Sequence, residues 1–145
     1  LLPDLADDAT LFLWRVAAMQ EEALSVMRAW GFTLKSEIVW LKRTRPGKRW
    51  FGMGRTVRAE HEVALIGHRG RPKTLDHSIR STFEAPVNRH SEKPEEFYRL
   101  VERLRAGPYC ELFARRLREG WASFGDECPN DASVDTGRAN FTLFA

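Results

Sequence analysis

The 145-residue sequence has few of the residues that cross-link small domains, and it has no long apolar run. Its two cysteines, Cys110 and Cys128, form no Cys-x-x-Cys pair and accompany only four histidines, so neither a metal site nor a disulfide framework is implied. No apolar stretch approaches the roughly 20 residues of a membrane span. The first residues also lack the basic-then-apolar pattern of a signal peptide. We therefore expect a cytoplasmic protein without a membrane partner.

Adjacent prolines are absent as well. The seven prolines stand at positions 3, 46, 72, 86, 94, 108 and 129, and none follows another. The sequence thus contains no Pro-Pro step.

The composition is that of one ordinary globular domain, with 43% hydrophobic and 30% charged residues. Its charge is unevenly distributed. Residues 42–73 carry ten Lys or Arg against Glu60 and Glu62, a local charge of +8, so the rest of the chain carries 3 − 8 = −5. This asymmetry indicates a surface that faces a polyanion, although such a run also occurs as a solvated loop.

Apolar patterning predicts an α/β fold. Short apolar runs at residues 10–14, 38–41, 62–67 and 109–113 are typical of buried strands, and a shorter one follows at 121–124. Helical spacing of apolar residues predicts helices over 19–30, ending at Gly31, and from Pro94 to Leu104. We expect loops at 42–58 and 69–88, and a polar tail at 128–145. Loops longer than roughly 12–15 residues are usually functional or disordered, so 42–58 is a candidate binding segment.

A series of short motifs keeps a family-like order along the chain. They are LFLW at 11–14, WGF at 30–32, EIVWLK at 37–42, GMG at 52–54 with Arg58, HE at 61–62, LIGHRG at 65–70, HSEKPEEFY at 90–98, ELFAR at 111–115 and GW at 120–121 leading to GDE at 125–127. In this series the chain resembles the adenine N6-methyltransferase family typified by the catalytic subunit of the messenger-RNA adenosine methyltransferase. The Gly-Met-Gly loop is most similar to the bacterial and phage DNA-modifying branch.

The resemblance implies a Rossmann-like, S-adenosylmethionine-dependent methyltransferase domain over residues 1–127, with helices on both faces of the sheet and its N-terminal elements missing. It implies methyl transfer to the exocyclic amino group of adenine in nucleic acid, with DNA favoured over RNA. It also implies a bacterial or phage-infected cell, and a homo- or heterodimer as the assembly. In an open α/β sheet, ligands bind beyond the carboxyl ends of the strands, so the cofactor motifs at 90–127 should converge on one crevice.

The resemblance also assigns cofactor residues. Lys93 lies at the amino end of a helix, where free N–H groups and the dipole attract a carboxylate, and by similarity it meets the methionine carboxylate. The alternative is a solvated lysine at a helix start. Arg115 and Arg118 match ribose-contacting positions, although the family often has Asn at the second. Asp126 and Glu127 match a pair that reaches the adenine or ribose, or else they are an acidic exit from the last strand.

The basic loop and the strand after it are predicted to contact nucleic acid. Aromatic faces among cations suit an extruded base and its backbone, unless the aromatics fold back onto the core. The substrate candidates are Lys48, Arg49, Trp50, Arg55, Arg58, His61 and Glu62. His61 and Glu62 are equally well explained as a structural pair.

The catalytic motif of this family is not among the 145 residues. The family uses an acidic or amide residue followed by Pro-Pro and an aromatic to orient the weakly nucleophilic amino group. Because no Pro-Pro step is present, we expect the motif to lie upstream of Leu1 and the isolated chain to be inactive. We also expect the strand at 10–14 to have an unpaired side. The alternative is a non-catalytic nucleic-acid-binding partner subunit of a methyltransferase complex.

Overall fold

A computed structural model of the chain describes residues 5–89 and 92–125, and the backbone of 140–144. Its strands are β1 Ala9–Arg15, β2 Thr33–Arg43, β3 His61–Arg69, β4 Thr82–Pro86, β5 Tyr109–Leu112, β6 Trp121–Phe124 and β7 Asn140–Phe144. The helices are α1 Gln20–Ala29, preceded by a 3₁₀ turn at Ala17–Met19, and α2 Glu95–Leu104. Neither α1 nor α2, the helices of the described residues, is long and apolar enough to cross a bilayer.

The seven strands form one mixed sheet in the order β4-β2-β3-β1-β7-β5-β6. β3 pairs antiparallel with both β1 and β2, whereas the pairs β2·β4, β1·β7, β5·β7 and β5·β6 are parallel. All strands except β3 therefore run in one direction. We call the edge of the sheet where they end the carboxyl edge; β3 begins there.

Helices cover both faces of the sheet, which confirms the predicted Rossmann-like layering. Side chains alternate along β1, so Leu11 and Leu13 pack on the face that contains Met27 of α1, while Phe12 and Trp14 pack on the opposite face. Phe97 of α2 is fully buried against that second face. Its ring centroid lies 4.7 Å from that of Trp14 and 5.9 Å from that of Phe12. The aromatic contacts join α2 to the centre of the sheet.

Two segments differ from the sequence predictions. The predicted loop at 69–88 contains β4, which pairs with β2 from Val39↔Thr82 to Arg43↔Pro86. This strand is short and ends in proline, so its periodicity is weak, and a sheet edge tolerates the proline. The predicted polar tail is wrong for Asn140–Phe144, because this segment forms β7. The run NFTLF favours a strand, but it is only five residues long and follows a polar segment, so the composition of the region predicted a tail.

β7 also corrects the expectation of an unpaired side on β1. Its backbone pairs with Leu11–Trp14 on one side and with β5 on the other. β1 is therefore hydrogen-bonded to a neighbour on both sides, since β3 pairs along its other side.

A buried arginine fastens the opposite, amino-terminal end of β1 to its surroundings. Arg105 is 3% exposed, and its guanidinium donates to Thr10 Oγ1 at 2.7 Å and to Thr74 Oγ1 at 2.6 Å. Its Nη2 lies 3.0 Å from Nε2 of His68. Burial, followed by the charge of Arg105, lowers the pKa of His68 and favours the neutral imidazole that can accept this bond.

Phe97→Ala should lower the free energy of unfolding by about 3–5 kcal/mol, because it removes a fully buried ring and leaves a cavity between α2 and the sheet. Urea unfolding measures the change. The control is Arg99→Ala on the same helix, where the side chain is 71% exposed and its ion pair is long at 4.0 Å; its effect should stay within about 0.5 kcal/mol. Equal losses for the two variants would contradict this account of the core.

Candidate functional site at the carboxyl edge

Segments that carry most of the predicted site residues meet at the carboxyl edge. β2 ends there before the basic loop, β3 begins there with His61 and Glu62, and β4 leads from there toward Lys93 and α2. β5 and β6 also end at this edge, followed by residues 113–118 and by Gly125. This is the edge at which open α/β sheets bind ligands.

Lys93 and Glu62 form an ion pair at the centre of this edge. Lys93 is 6% exposed, and its Nζ lies 2.8 Å from Oε1 of Glu62. Nζ also stands 4.8 Å from the ring centroid of Trp14, within range of a cation–π contact. Lys42 Nζ lies 3.1 Å from Oε2 of the same glutamate. The alternative of a solvated lysine at a helix start is therefore wrong.

The pKa values of Lys93 and Glu62 both depart from their ordinary values. Burial lowers the pKa of Lys93, and Glu62 opposes that effect. Burial works to raise the pKa of Glu62, but Lys93 and then Lys42 outweigh it and hold the pKa below its usual value. The glutamate is thus an ionised carboxylate shared by two lysines.

Glu62 does not pair with His61, contrary to one expectation. Successive side chains on a strand point to opposite faces, so neighbours at 61 and 62 cannot face each other. His61 is exposed at the start of β3, whereas Glu62 is directed toward the lysines.

The turn after β5 holds an exposed aromatic side chain in an unusual backbone conformation. Phe113 has φ = 59° and is 65% exposed. The next residue, Ala114, donates its N–H to the carbonyl of Phe124 at 2.9 Å. A Cβ at Gly125 would lie 2.4 Å from Ala114 O, so the segments leaving β5 and β6 are in close contact. The sequence did not single out Phe113, because a positive φ leaves no periodic signal.

The two predicted arginines have different surroundings. Arg115 is exposed, and its charge adds a minor contribution to the effect of burial on the pKa of Lys93. Arg118 is 16% exposed and donates to Glu95 at 2.6 Å and to Glu102, both on α2. Arg118 therefore links this turn to α2 through two ion pairs. Asp126 and Glu127 lie outside the described residues.

The basic loop is an ordered hairpin without helix or long strand between Thr44 and Glu60. Gly52 donates its N–H to Ala59 O at 2.9 Å, and Ala59 donates back to Met53 O at 3.0 Å. A Cβ at Gly52 would lie 2.2 Å from Ala59 O, and one at Gly54 would lie 1.8 Å from Val57 O. The Gly-Met-Gly motif thus permits two backbone strands to approach closely.

Ion pairs engage part of the loop's positive charge. Arg49 contacts Glu60 at 2.6 Å, and Arg43 contacts Glu84 at 2.8 Å. Arg45, Lys48 and Arg55 are exposed and make no ion pair within residues 5–89 and 92–125. Among the cations predicted to contact the nucleic-acid backbone, Arg49 is therefore already paired within the protein.

The two aromatic residues of the loop differ in their exposure to solvent. Trp50 is partly buried, and its indole nitrogen would lie 3.2 Å from a Cβ at Gly52. Phe51 is 74% exposed, and the guanidinium carbon of Arg58 stands 4.2 Å from its ring centroid. Phe51, rather than Trp50, presents its ring to solvent.

Exposed apolar side chains concentrate at the carboxyl edge. Of ten exposed large apolar side chains among the described residues, seven lie on segments that leave this edge, namely Val16, Met19, Phe51, Met53, Val57, Phe113 and Leu117. These side chains leave apolar surface at the edge where open α/β sheets bind ligands.

A buried carboxyl lies on β5. Glu111 is 3% exposed and accepts a hydrogen bond from the hydroxyl of Tyr98 on α2 at 2.9 Å. Burial raises the pKa of Glu111 to about 7, against the opposing effects of Tyr98 and then of Arg116 and Arg118. Glu111 is therefore a buried carboxyl that is stabilised by a hydrogen-bond partner.

Helices on both faces of the sheet and a polar cluster at its carboxyl edge define a Rossmann-like α/β domain. The family follows from comparison with known sequences. The MT-A70 family model matches residues 2–127, so the chain belongs to the MT-A70 family. The family resemblance inferred from the motifs is thereby confirmed.

Three relatives illustrate the range of similarity. The chain is 32% identical over 133 residues to the N(6)-adenosine-methyltransferase catalytic subunit METTL3 of Homo sapiens, covering 87% of this chain and 23% of that protein. It is 30% identical over 141 residues to an N(6)-adenosine-methyltransferase MT-A70-like protein of Drosophila melanogaster, covering 92% and 23%. It is 28% identical over 133 residues to the type II methyltransferase M.MunI of Mycoplasma sp, covering 87% and 53%. The chain thus spans about a quarter of the two animal proteins and about half of the third.

Glu111→Gln should change how stability depends on pH. The folded carboxyl has a pKa of about 7, above its ordinary 4.5, so its contribution to stability is complete below about pH 4.5 and is lost as pH rises through about 7. At roughly 1.4 kcal/mol per pKa unit, the variant should gain about 3 kcal/mol relative to the wild type across this range. Urea unfolding at several pH values measures it, with exposed Glu119→Gln as the control. Parallel pH profiles for wild type and Glu111→Gln would contradict the assignment.

Proposed function

We propose that this chain is the cofactor-binding and nucleic-acid-contacting part of an S-adenosylmethionine-dependent adenine N6-methyltransferase, with DNA as the substrate. The observation that carries the proposal is the ion pair between buried Lys93 and partly buried Glu62 at the amino end of α2. It lies at the ligand-binding edge of a domain of the MT-A70 family.

The residues at the carboxyl edge fit S-adenosylmethionine. A methionine carboxylate needs a cation and a positive local field, and Lys93 lies beside the first turn of α2, where no side chain caps the helix and the helix dipole favours a carboxylate. The adenosine part needs an apolar surface and polar groups, and the exposed ring of Phe113 and the cation of Arg115 lie on the neighbouring turn. Asp126 and Glu127 remain predicted contacts. When bound, S-adenosylmethionine supplies the electrophilic methyl group.

Glu62 has a positioning role in this proposal. By accepting from Lys93 it holds the ammonium at the start of α2 and limits the side-chain entropy that cofactor binding would otherwise remove. By accepting from Lys42 as well, it ties the basic loop to the same point. Cofactor and nucleic-acid segments are thus joined through one carboxylate.

The loop at 42–58 would contact the phosphate backbone, because Arg45, Lys48 and Arg55 are exposed cations at the same edge. The choice of DNA rests on the Gly-Met-Gly loop. Dimerisation stays a prediction.

The chemical step is assigned to the whole protein rather than to these residues. No Pro-Pro step occurs in the sequence, so the acidic Pro-Pro-aromatic tetrad that would orient the adenine amino group is not among them. The same observation favours a second candidate function, a non-catalytic nucleic-acid-binding subunit. The two differ in cofactor binding, because a non-catalytic subunit has no need of a functional pocket around Lys93.

Lys93→Met should weaken binding of S-adenosylhomocysteine by roughly 10- to 150-fold, since a charge-assisted hydrogen bond contributes about 1.5–3 kcal/mol. Calorimetry on the whole protein measures it. Lys42→Met is the matched control, because Lys42 binds the same glutamate but is 22% exposed; it should change the affinity much less. An unchanged dissociation constant for Lys93→Met would show that the carboxylate binds elsewhere, and no binding by the wild type would favour the non-catalytic subunit.

Replacing Arg45, Lys48 and Arg55 together with Ala should weaken DNA binding for all sequences and reduce its dependence on salt. The slope of log affinity against log salt should fall by roughly 0.9 for each lost phosphate contact. The control removes three exposed cations away from the carboxyl edge, Arg28, Arg71 and Lys73. A triple variant that retains the wild-type slope, or a control that loses as much, would contradict the proposed interface.

A further inference from the structure

The tip of the basic loop, residues 51–58, exposes large apolar side chains in an ordered conformation. Phe51 is 74% exposed, Met53 83% and Val57 75%. Hydrogen bonds between Gly52 and Ala59 and between Ala59 and Met53 hold the two sides of the hairpin together. The apolar side chains are therefore presented to solvent by a defined backbone.

The base of the loop is anchored at the proposed site. Lys42 donates its N–H to Glu60 O at 2.8 Å and its Nζ pairs with Glu62, while Arg49 pairs with Glu60. Glu62 in turn contacts Lys93. The loop tip thus extends from the same edge of the sheet at which the cofactor and an adenine would meet.

Charge around the tip favours a polyanion as its partner. Arg55 lies in the tip and Arg45 and Lys48 precede it in the same loop, all three as exposed cations, and Arg58 stands against the Phe51 ring. The loop between residues 42 and 58 contains no acidic residue. Apolar side chains among cations suit a nucleic-acid duplex, whose base stack is apolar and whose backbone is anionic.

We propose that Phe51 and Met53 form a wedge that enters the base stack of a duplex and fills the gap left when the target adenine is extruded. The proposal rests on the proposed function. A base inside a duplex must leave the stack before its amino group can react, and inserted Phe, Leu, Ile or Met side chains are known to separate base steps. The wedge would stabilise the extruded state by replacing the lost stacking contacts.

A DNA duplex that already lacks one base tests the wedge. The whole protein should bind a fluorescein-labelled DNA duplex containing one abasic site roughly tenfold or more tightly than the intact duplex, because the gap removes the cost of unstacking. Phe51→Ala combined with Met53→Ala should lose this preference. Phe51→Leu should retain most of it, since the leucine still fills part of the gap.

Two controls separate the wedge from general binding. Leu75→Ala removes an exposed apolar side chain outside the loop, 50% exposed, and should keep the preference. The triple variant of Arg45, Lys48 and Arg55 should bind both duplexes more weakly but keep their ratio. A preference that survives the Phe51 and Met53 double substitution, or a wild type that binds both duplexes equally, would overturn the wedge and leave the proposed function intact. Failure to bind any duplex would overturn both.

Discussion

The ion pair between Lys93 and Glu62 joins parts of the chain that are otherwise far apart in sequence. A buried ammonium without a partner would lose its proton or destabilise the fold, and Glu62 supplies the missing charge at 2.8 Å. Because Glu62 lies at the start of β3 and also binds Lys42, the same carboxylate sets where the basic loop leaves the sheet. Backbone pairing places β1, β2 and β3, and Glu62 adds a charged contact that links the start of α2 to the base of the loop.

The two ends of the sheet differ in the exposure of their cations. At the amino-terminal end, Arg105 is surrounded by neutral acceptors on Thr10, Thr74 and His68, which close that end around a buried cation. At the carboxyl edge, exposed cations and exposed apolar side chains lie together. This asymmetry agrees with the general rule for open α/β sheets, in which ligands bind beyond the carboxyl ends of the strands.

The arginines look equivalent in the sequence, but their contacts in the structure differ. Arg49 and Arg118 have carboxylates within ion-pair distance, and Arg58 stands against an aromatic ring. Arg45 and Arg55 have no carboxylate within that distance in the described parts of the chain. A carboxylate neutralises the charge of the guanidinium that it binds, so the second group is better suited to a polyanion.

The sequence by itself determined the class of fold, the family, and the identity of the segments that meet at the site. Apolar periodicity located β1, α1, β2, β3, α2 and β5, because each buries a face whose spacing is visible locally. Tertiary structure alone decided the rest. The partners of Lys93 and Glu62 lie 31 positions apart, the strain at Phe113 is a backbone property, and β4 and β7 become strands by pairing with distant neighbours. Contacts between residues remote in the chain depend on how the sheet assembles, and no local pattern records them.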